Sequence, residues 1–396
     1  MNELGFLGRE RSLFADDLNK LDREISQIVR SSSFLVVGGA GTIGQATVLE
    51  LFRRDPRVLH VVDISENNLV ELVRRARSSI GYNNGEFRTF ALDAGSFQFD
   101  SLLREQGPYD YILNLSALKH VRSEKDPYTL MRMIEVNAVN TLACLRKCKN
   151  NGLKKYFSVS TDKAANPVNL MGASKRIMEL LLFRESSETT ISSARFANVA
   201  FSDGSLLHGF NQRFLRKEPI SAPIDVRRYF ISQQESGELC LLSTIIGENR
   251  ELLFPKLDEN RLPQTSFSDL AVKYLGSKGY DAVMCESEEE ARARRAELIS
   301  HNQWPCYFFE SDTTGEKALE EFHTEAEEID NKKFRSIGVV KTKFEYDPTT
   351  LDEFLKEFDR LRMQGSWSKL ELVALYKSVL PTMDYLDLGK YLDDRM

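Results

Sequence analysis

Cysteine is scarce in this chain, and long apolar runs are missing from it. Five cysteines occur among 396 residues. The two that lie one helical turn apart, Cys144 and Cys148, have no second cysteine or histidine pair beside them. Buried thiols are therefore favoured over a zinc site, and we expect no bound metal. No apolar run approaches the roughly 20 residues that cross a bilayer, and the N-terminal residues lack a signal-peptide core. These absences predict a cytoplasmic protein without a membrane span.

A surplus of basic residues is also missing. The net charge is −6, which argues against a protein that binds nucleic acid by neutralising phosphates. A local basic pocket for one anionic ligand is still compatible with this balance. The apolar content of 42% and the charged content of 28% are those of a globular protein, and the length predicts two lobes rather than one small core.

Apolar, β-branched segments alternate with helical patterns from Phe34 onward. The predicted strands are Phe34–Val37, Val58–Val62, Phe87–Leu92, Tyr111–Leu115, Tyr156–Val159 and Ile191–Phe196. Strands that alternate with helices, most of them unbroken apolar runs, form a parallel sheet covered on both faces. The sequence therefore predicts an α/β protein built on a doubly wound parallel Rossmann sheet.

The first turn of this sheet reads Gly38-Gly-Ala-Gly41-Thr-Ile-Gly44, between a strand and a helix. Glycines let the backbone approach a pyrophosphate, and the helix N-terminus offers unpaired N–H groups. Asp63 ends the second strand, nineteen residues after Gly44, where a carboxylate accepts hydrogen bonds from the adenosine ribose. A carboxylate would repel a 2′-phosphate, so we predict NAD rather than NADP. The alternative is a purely structural glycine turn.

The turns after the third and fourth strands supply further candidates. Asp93 and Ala94 either meet the adenine ring or form an ordinary turn. Residues 115–117 lie where the nicotinamide half should run. Lys119 and His120 could face an anionic substrate, although His120 could equally be a structural or surface histidine. The predicted cofactor-binding residues are Gly38, Gly41, Thr42, Ile43, Gly44, Asp63, Ile64, Asp93, Ala94, Leu115, Ser116, Ala117 and Lys175.

The domain organisation follows from where this regular pattern begins and ends. Residues 1–33 have apolar residues at helical spacing and are predicted to form a helical extension, which covers either its own subunit or a neighbour. Residues 34–260 form the predicted NAD-binding Rossmann domain, with a substrate-binding insert at about 201–250. Residues 261–396 are predicted to form a smaller C-terminal α+β substrate lobe.

The segment from Ser160 to Lys175 combines an acid, an amine and a hydroxyl after the fifth strand. Thr161, Asp162 and Lys163 are consecutive, and Lys175 follows in a helical pattern. Such groups at the carboxyl end of a strand suit general acid-base chemistry. The alternative is a surface turn followed by an ordinary helix.

Basic residues then gather in a chain that is acidic as a whole. Guanidinium groups can fork onto the oxygens of a diphosphate, but a solvated charged face is the alternative. The cluster consists of Arg213, Arg216, Lys217, Arg227 and Arg228.

Together, these motifs resemble one branch of the extended short-chain dehydrogenase/reductase superfamily, the nucleotide-sugar 4,6-dehydratases of polysaccharide biosynthesis that act on UDP-N-acetylglucosamine. The resemblance rests on the glycine loop, Asp63, A-L-K-H-V, S-T-D-K-A-A-N-P and M-G-A-S-K. It is firm over residues 34–260. It continues more loosely at Thr314-Gly-Glu-Lys317 and at Tyr391–Met396.

The resemblance implies a reaction and a role for each residue. The sugar C4 is oxidised with NAD, water is lost across C5 and C6, and the hydride returns to C6. Lys163 is the implied base at C5 and needs a depressed pKa, Asp162 is the implied acid at the C6 hydroxyl, and Thr161 contacts O4. The implied substrate-binding residues are Lys119, His120, Met171, Asn198, Ser205 and Arg228.

Met171 departs from the superfamily, which has a tyrosine at this position. A thioether is not a useful proton acceptor, so removal of the O4 proton is left to Asp162, Lys175 or a water. The same methionine is found in the configuration-retaining dehydratases, which make bacillosamine- or legionaminic-type precursors. The resemblance implies a form without their membrane domain, which we expect to be a homo-oligomer. A UDP-sugar 4-epimerase and a catalytically silent NAD-binding module are the alternatives.

Overall fold

The computed structural model describes residues 2–257, 262–311, 320–343, 347–387 and 389. Its helices in chain order are α1 (Glu3–Phe6), α2 (Ala15–Arg30), α3 (Thr42–Phe52), α4 (Glu66–Ser79), α5 (Phe97–Gln106), α6 (Pro127–Ile134), α7 (Asn140–Cys148), α8 (Leu170–Arg184), α9 (Leu206–Leu215), α10 (Gln233–Ile245), α11 (Phe267–Ser277), α12 (Glu288–Ala293), α13 (Arg295–Ser300), α14 (Pro348–Gln364) and α15 (Lys369–Val379). Within these described residues, every helix is too short or too polar to span a lipid bilayer.

The strands follow the predicted apolar runs closely in the first half of the chain. They are β1 (Ser33–Val37), β2 (Val58–Asp63), β3 (Glu86–Ala91), β4 (Tyr111–Asn114), β5 (Lys155–Thr161), β6 (Thr190–Phe196), β7 (Asn198–Val199), β8 (Ile220–Pro223), β9 (Arg227–Ile231), β10 (Glu251–Pro255), β11 (Gln264–Ser266), β12 (Asp281–Met284), β13 (Gln303–Phe309), β14 (Glu328–Asp330) and β15 (Ile337–Lys341). All five residues of β1 and all four of β4 are buried, because helices cover both faces of the sheet.

Nine of the described strands form one central sheet in the order β14-β15-β10-β6-β5-β4-β1-β2-β3. From β10 to β3 every neighbouring pair is parallel, whereas β15 runs antiparallel to both β10 and β14. The predicted doubly wound α/β fold is confirmed. Because the strand order reverses between β1 and β4, a crevice opens at their carboxyl ends, which is where ligands bind in such sheets.

The chain beyond residue 260 contributes to more than one layer. The strands β14 and β15 extend the central sheet, and α15 packs against α6 and α8. A separate sheet has the order β12-β13-β8, so residues 220–223 of the predicted insert pair with the predicted C-terminal lobe. A second hydrophobic core, which includes Phe210, Tyr274 and Trp304, lies under this sheet. The three-part division given above remains a prediction.

The N-terminal extension covers its own chain. Phe14, Ile25 and Val29 are buried in the main core, and Phe6 is buried in the second core. The carboxylate of Asp17 accepts hydrogen bonds from the backbone N–H groups of residues 335 and 336, at 2.7 and 2.8 Å. The first of the two alternatives in the sequence, contact with the same subunit, is therefore present in the structure.

Candidate active site

The glycine loop between β1 and α3 is shaped for a close backbone approach. Gly38 has a φ of +72°, and a Cβ there would lie 2.5 Å from the backbone N of Ser116. A Cβ on Gly44 would lie 2.2 Å from the carbonyl oxygen of Gly38. Gly41 precedes α3, so no side chain there competes for the first N–H groups of the helix. The loop therefore fits a pyrophosphate at a helix N-terminus.

Asp63 is tied to the same loop. Its Oδ2 accepts a hydrogen bond from the backbone N of Ala40 at 2.9 Å, and its Oδ1 accepts one from the N of Ser65 at 2.9 Å. The side chain of Ile64 is 73% exposed, and no arginine or lysine is found from residue 63 to residue 73. These contacts fix the carboxylate at the crevice and leave further lone pairs for ribose hydroxyls.

Asp93 is engaged by protein groups. Its Oδ1 accepts a hydrogen bond from the N of Gly95 at 2.8 Å, and its Oδ2 lies 2.6 Å from Nη2 of Arg132. Burial acts to raise the pKa of Asp93, but the Gly95 and Arg132 contacts outweigh it and lower that pKa. These contacts are those expected if Asp93 has a structural role in a turn. The adenine-binding role of Asp93 and Ala94 remains a prediction.

Two buried amides, Asn114 and Asn137, organise the turn after β4. The N and Oγ of Ser116 both donate to Oδ1 of Asn114, at 3.1 and 2.7 Å. Asn137 accepts from the N of Leu118 at 2.9 Å and donates to Ser174 at 2.8 Å. Asn137 lies in a π-helical turn, Glu135–Val139, a feature that recurs at functional sites. The turn is thus held by side-chain amides at Ser116 and Leu118, and by a backbone hydrogen bond from the N of Leu115 to the carbonyl oxygen of Val37 at 2.7 Å.

Lys119 and His120 lie beside the turn at residues 201–205. The ring of His120 occupies the space that a side chain at Gly204 would need, since a Cβ there would lie 2.7 Å from Cε1. Partial burial lowers the pKa of Lys119, and the carboxylate of Asp203 opposes that shift. The N of Asp203 donates to Oγ1 of Thr42 at 3.0 Å. The predicted substrate side and the cofactor loop therefore meet here.

Thr161, Asp162 and Lys163 form a hydrogen-bonded group where β5 ends. Oδ1 of Asp162 accepts from Oγ1 of Thr161 at 2.7 Å, from the backbone N of Lys163 at 2.9 Å and from Nζ of Lys163 at 3.1 Å. Asp162 is 3% exposed. The two side chains that the sequence assigned to acid and base are therefore in direct contact.

A fourth residue, which the sequence analysis missed, completes this group. Oε1 of Glu320 lies 3.3 Å from Nζ of Lys163 and 3.7 Å from Nε of Arg228. Glu320 is 6% exposed, and burial raises its pKa against the pull of the Lys163 and Arg228 charges. The motif Thr314-Gly-Glu-Lys317 gave a weak signal for this region, but it lies outside the described residues, as does Tyr391–Met396.

The expectation for the pKa of Lys163 is wrong in this structure. A base at C5 needs a depressed pKa, and burial does act in that direction. The negative charges of Asp162 and Glu320 outweigh burial and raise the pKa of Lys163. Asp162 is adjacent to Lys163 in the chain, and the fold brings in Glu320 as a second carboxylate.

Lys175 and Met171 lie in the first turns of α8. Burial lowers the pKa of Lys175 to about 8, and its Nζ donates to the carbonyl oxygen of Val159 at 3.1 Å. The N of Met171 donates to Oε1 of Glu124 at 2.8 Å. Glu124 is fully buried, and burial raises its pKa to about 7. No acid-base side chain replaces the missing tyrosine at position 171 itself.

The remaining predicted substrate-binding residues differ in what they offer. Nδ2 of Asn198 is buried without a hydrogen-bond partner in the described part of the chain, so it is a donor available to a ligand. Oγ of Ser205 accepts from the N of His208 at 3.2 Å and caps α9. The basic cluster is divided, because Arg228 is buried beside Glu320 whereas Arg227 is exposed.

Comparison with known proteins identifies the family. A family model described as polysaccharide biosynthesis protein matches residues 34–342. The chain belongs to this family. Solved structures with the same fold include Pen from Bacillus thuringiensis, with a TM-score of 0.65 and 21% identity over 81% of this chain and 90% of that one. A mutant dTDP-glucose 4,6-dehydratase, DesIV of Streptomyces venezuelae with NAD bound, has a TM-score of 0.54 and 17% identity over 74% and 87%.

Sequence relatives of this polysaccharide biosynthesis family member carry several names. An uncharacterized membrane protein of Methanocaldococcus jannaschii is 29% identical over 64% of this chain and 75% of its own length. The capsular polysaccharide biosynthesis protein CapD of Staphylococcus aureus is 28% identical over 58% and 38%. An inverting UDP-N-acetylglucosamine 4,6-dehydratase of Campylobacter jejuni is 27% identical over 62% and 73%. UDP-glucose 4-epimerases are also among the relatives. This chain therefore spans well under half of CapD.

Proposed function

We propose that this chain is an NAD-dependent nucleotide-sugar 4,6-dehydratase that converts UDP-N-acetylglucosamine to the UDP-4-keto-6-deoxy sugar. The observation that carries the proposal is the direct contact of Asp162 and Lys163 at the end of β5, beside the crevice of the glycine loop. Membership of the polysaccharide biosynthesis family supports an enzyme of nucleotide-sugar chemistry, either a dehydratase or an epimerase.

NAD is the cofactor of this site. When bound, NAD would supply hydride transfer from the sugar C4 and back to C6. Gly38, Gly41 and the N-terminus of α3 would hold the pyrophosphate, and Asp63 would accept the ribose hydroxyls. The tight contacts that a Cβ would make at Gly38 and Gly44 support this use of the loop.

The protein's own groups handle the protons. Asp162 would donate a proton to the departing C6 hydroxyl, and Lys163 would take the proton from C5 once C4 is a carbonyl. The two carboxylates beside Lys163 raise its pKa and favour the ammonium form, so the amine must lose a proton before it acts. Thr161 would hydrogen-bond O4. The O4 proton is left to Asp162, Lys175 or a water, and the low pKa of Lys175 for a lysine, about 8, suits it to such a role.

The UDP-sugar would lie along the groups that border the crevice. Asn198, Ser205 and Arg228 are proposed to contact the nucleotide diphosphate. Lys119 and His120 are proposed to face the sugar end, with Met171 against the ring. The unpartnered Nδ2 of Asn198, in the part of the chain described, is the sharpest support for this assignment, because an unsatisfied buried donor carries a cost that a ligand can remove.

A 4-epimerase is the second candidate, and the epimerases among the relatives favour it. That reaction needs a proton acceptor near O4 and no acid-base pair at C5 and C6. Met171 cannot accept the proton, and residues 162 and 163 supply the pair that an epimerase does not need. We therefore rank the dehydratase first. A silent NAD-binding module would leave both residues as spectators.

One incubation separates the three. Purified protein is incubated with UDP-N-acetylglucosamine, and the products are analysed by mass spectrometry and NMR. Loss of one water supports the dehydratase, and an isomer of unchanged mass would replace it with the epimerase. Absence of turnover while NAD is bound would favour the silent module. The NMR spectrum also reports the configuration at C5, which we propose is retained. The product would then enter surface glycans or bacillosamine- and nonulosonic-type sugars. The homo-oligomeric state remains a prediction.

A further inference from the structure

The charged group around Lys163 contains a residue to which the proposed reaction gives no task. Glu320 follows the part of the chain at residues 312–319 and enters the site from outside the Rossmann strands that carry the catalytic turn. Its Oε1 lies 3.3 Å from Nζ of Lys163. A carboxylate in a buried position at this distance from an ammonium has a strong influence on it.

The hydrogen bonding of Glu320 differs from that of a carboxylate with a purely structural role. Oε2 is buried and accepts no hydrogen bond from any residue that the structure describes. A buried acceptor left unsatisfied costs free energy, and most native structures avoid it. Apolar residues, or a carboxylate with both oxygens bonded, would fill the same space at lower cost. The position of Glu320 is therefore better explained by its charge than by its packing.

The charges that face Lys163 come from three elements. Asp162 lies on the same turn as Lys163, Glu320 lies on the segment before β14, and Arg228 lies on β9. Arg228 and Lys163 share Oε1 of Glu320, which reduces the influence of the carboxylate without cancelling it. Lys163 keeps 19% of its side chain exposed, so the amine is still reachable from the crevice.

We propose that Glu320 is a positioning residue that acts through Lys163: its carboxylate holds the amine at the crevice and sets how readily that amine gives up its proton. A negative charge beside an ammonium favours the protonated form. Glu320 therefore determines the pH at which Lys163 becomes a free amine. The kinetic consequence rests on the proposed dehydratase function, but the effect on the amine itself does not.

The first experiment measures the amine directly. Lys163 is trace-labelled with acetic anhydride at a series of pH values in the NAD-bound protein, and its peptide is quantified by mass spectrometry. In Glu320→Gln the pKa of Lys163 should fall by about 1 to 3 units, the range for loss of one close opposite charge. Glu320→Asp keeps the charge and should stay near the wild type. Glu321→Gln is the matched control, because Glu321 is exposed and contacts Asn166. An unchanged Lys163 pKa in a folded Glu320→Gln protein overturns the proposal.

The second experiment follows the reaction. The acidic limb of kcat/KM for UDP-N-acetylglucosamine should move to lower pH in Glu320→Gln and remain in place in Glu320→Asp and Glu321→Gln. If Glu320 had a purely structural role, Glu320→Gln would change stability and leave the acidic limb of kcat/KM at the same pH. That result would count against the proposal. If labelling shows the shift in the pKa of Lys163 but neither the wild type nor any variant turns over the sugar, the inference about Glu320 stands and the proposed function fails. The two failures are therefore distinguishable.

Discussion

Two buried groups of charges lie on neighbouring strands, and they are satisfied to different degrees. In the first, all five N–H groups of Arg195 are used: by Glu179, by Glu327 and by the carbonyl oxygen of Phe322, at 2.7 to 3.0 Å. Ser160 adds a hydrogen bond to Glu179 at 2.6 Å. In the second, around Lys163, one carboxylate oxygen of Glu320 has no partner among the described residues.

The difference separates a group of charges that stabilises the fold from one that is available for chemistry. A buried ion pair repays its desolvation only when its remaining hydrogen bonds are made, and the network at Arg195 meets that condition. The group at Lys163 does not, and it keeps one amine partly exposed. Between these two groups, full pairing accompanies the structural role and incomplete pairing accompanies the candidate site.

The largest expected effect is on turnover. Lys163→Ala removes the proposed base and should lower the rate of dehydration by roughly 10²- to 10⁴-fold, while NAD should stay bound because Lys163 is not among its proposed contacts. Product formation and NAD content are measured together. Lys154→Ala, in an exposed pair with Asp110, is the control. Near-normal turnover in Lys163→Ala would show that the base is another group.

The second expected effect is on stability. Arg195→Met leaves Glu179 and Glu327 with the partly exposed Arg176 as their remaining shared cation, and it should cost about 3 to 5 kcal/mol of unfolding free energy. Urea unfolding at constant pH measures it. Arg360→Met is the matched control, because the Arg360 pair with Glu357 is exposed, and its change should stay within about 0.5 kcal/mol. A loss at Arg195 no larger than in this control would remove the contrast between the two groups.

A third prediction compares two buried glutamates with opposite shifts. Burial acts to raise the pKa of Glu179, but Arg195 outweighs it and holds that pKa at about 2. Glu179 therefore contributes stability that is complete above its ordinary value of 4.5 and is lost as the pH falls through about 2. At Glu124 burial outweighs the backbone N–H groups of Met171 and Leu170 and the charge of Lys369, and it raises the pKa to about 7. Its contribution is complete below 4.5 and is lost as the pH rises through about 7.

Glu124→Gln should remove the loss of stability that the wild type shows as the pH rises towards 7. Between about pH 4.5 and 7.5 the wild type should lose on the order of 3 kcal/mol more stability than the variant, as a shift of that size implies. Urea unfolding at the two pH values measures it. Glu179→Gln should reduce the pH dependence of the unfolding free energy only below pH 4.5. Parallel curves for Glu124→Gln and the wild type would mean that Glu124 does not change its charge in this range.

Local patterns carried the fold and part of the site. The alternation of largely apolar strands with helices predicted β1 to β6 to within about two residues, because strands covered on both faces are rich in apolar side chains. The glycine loop and Asp63 were also predictable, since a tight turn at a helix N-terminus leaves few alternatives to glycine. In both cases the signal lies within about twenty residues.

Contacts between distant segments were not predictable in the same way. Glu320 reaches Lys163 across more than 150 positions of the chain, and Arg132 reaches Asp93, in the turn after β3, from α6. The strands β14 and β15 are short and join the edge of the sheet in antiparallel fashion, outside the βα pattern. The buried Glu124 resembles a surface glutamate in the sequence, because nothing nearby shows that α15 packs over this region. Only the fold brings these groups together.

The segment at residues 320–327 touches both groups of charges, because Glu320 faces Lys163 and Glu327 pairs with Arg195. Between them Phe322 is 2% exposed and stacks on Phe254. A chimera that imports this segment from a relative must therefore match Arg195 as well as Lys163. A donor with the right residue at one end and the wrong one at the other would yield either a well-folded chain with an altered pH optimum or a chain too unstable to assay.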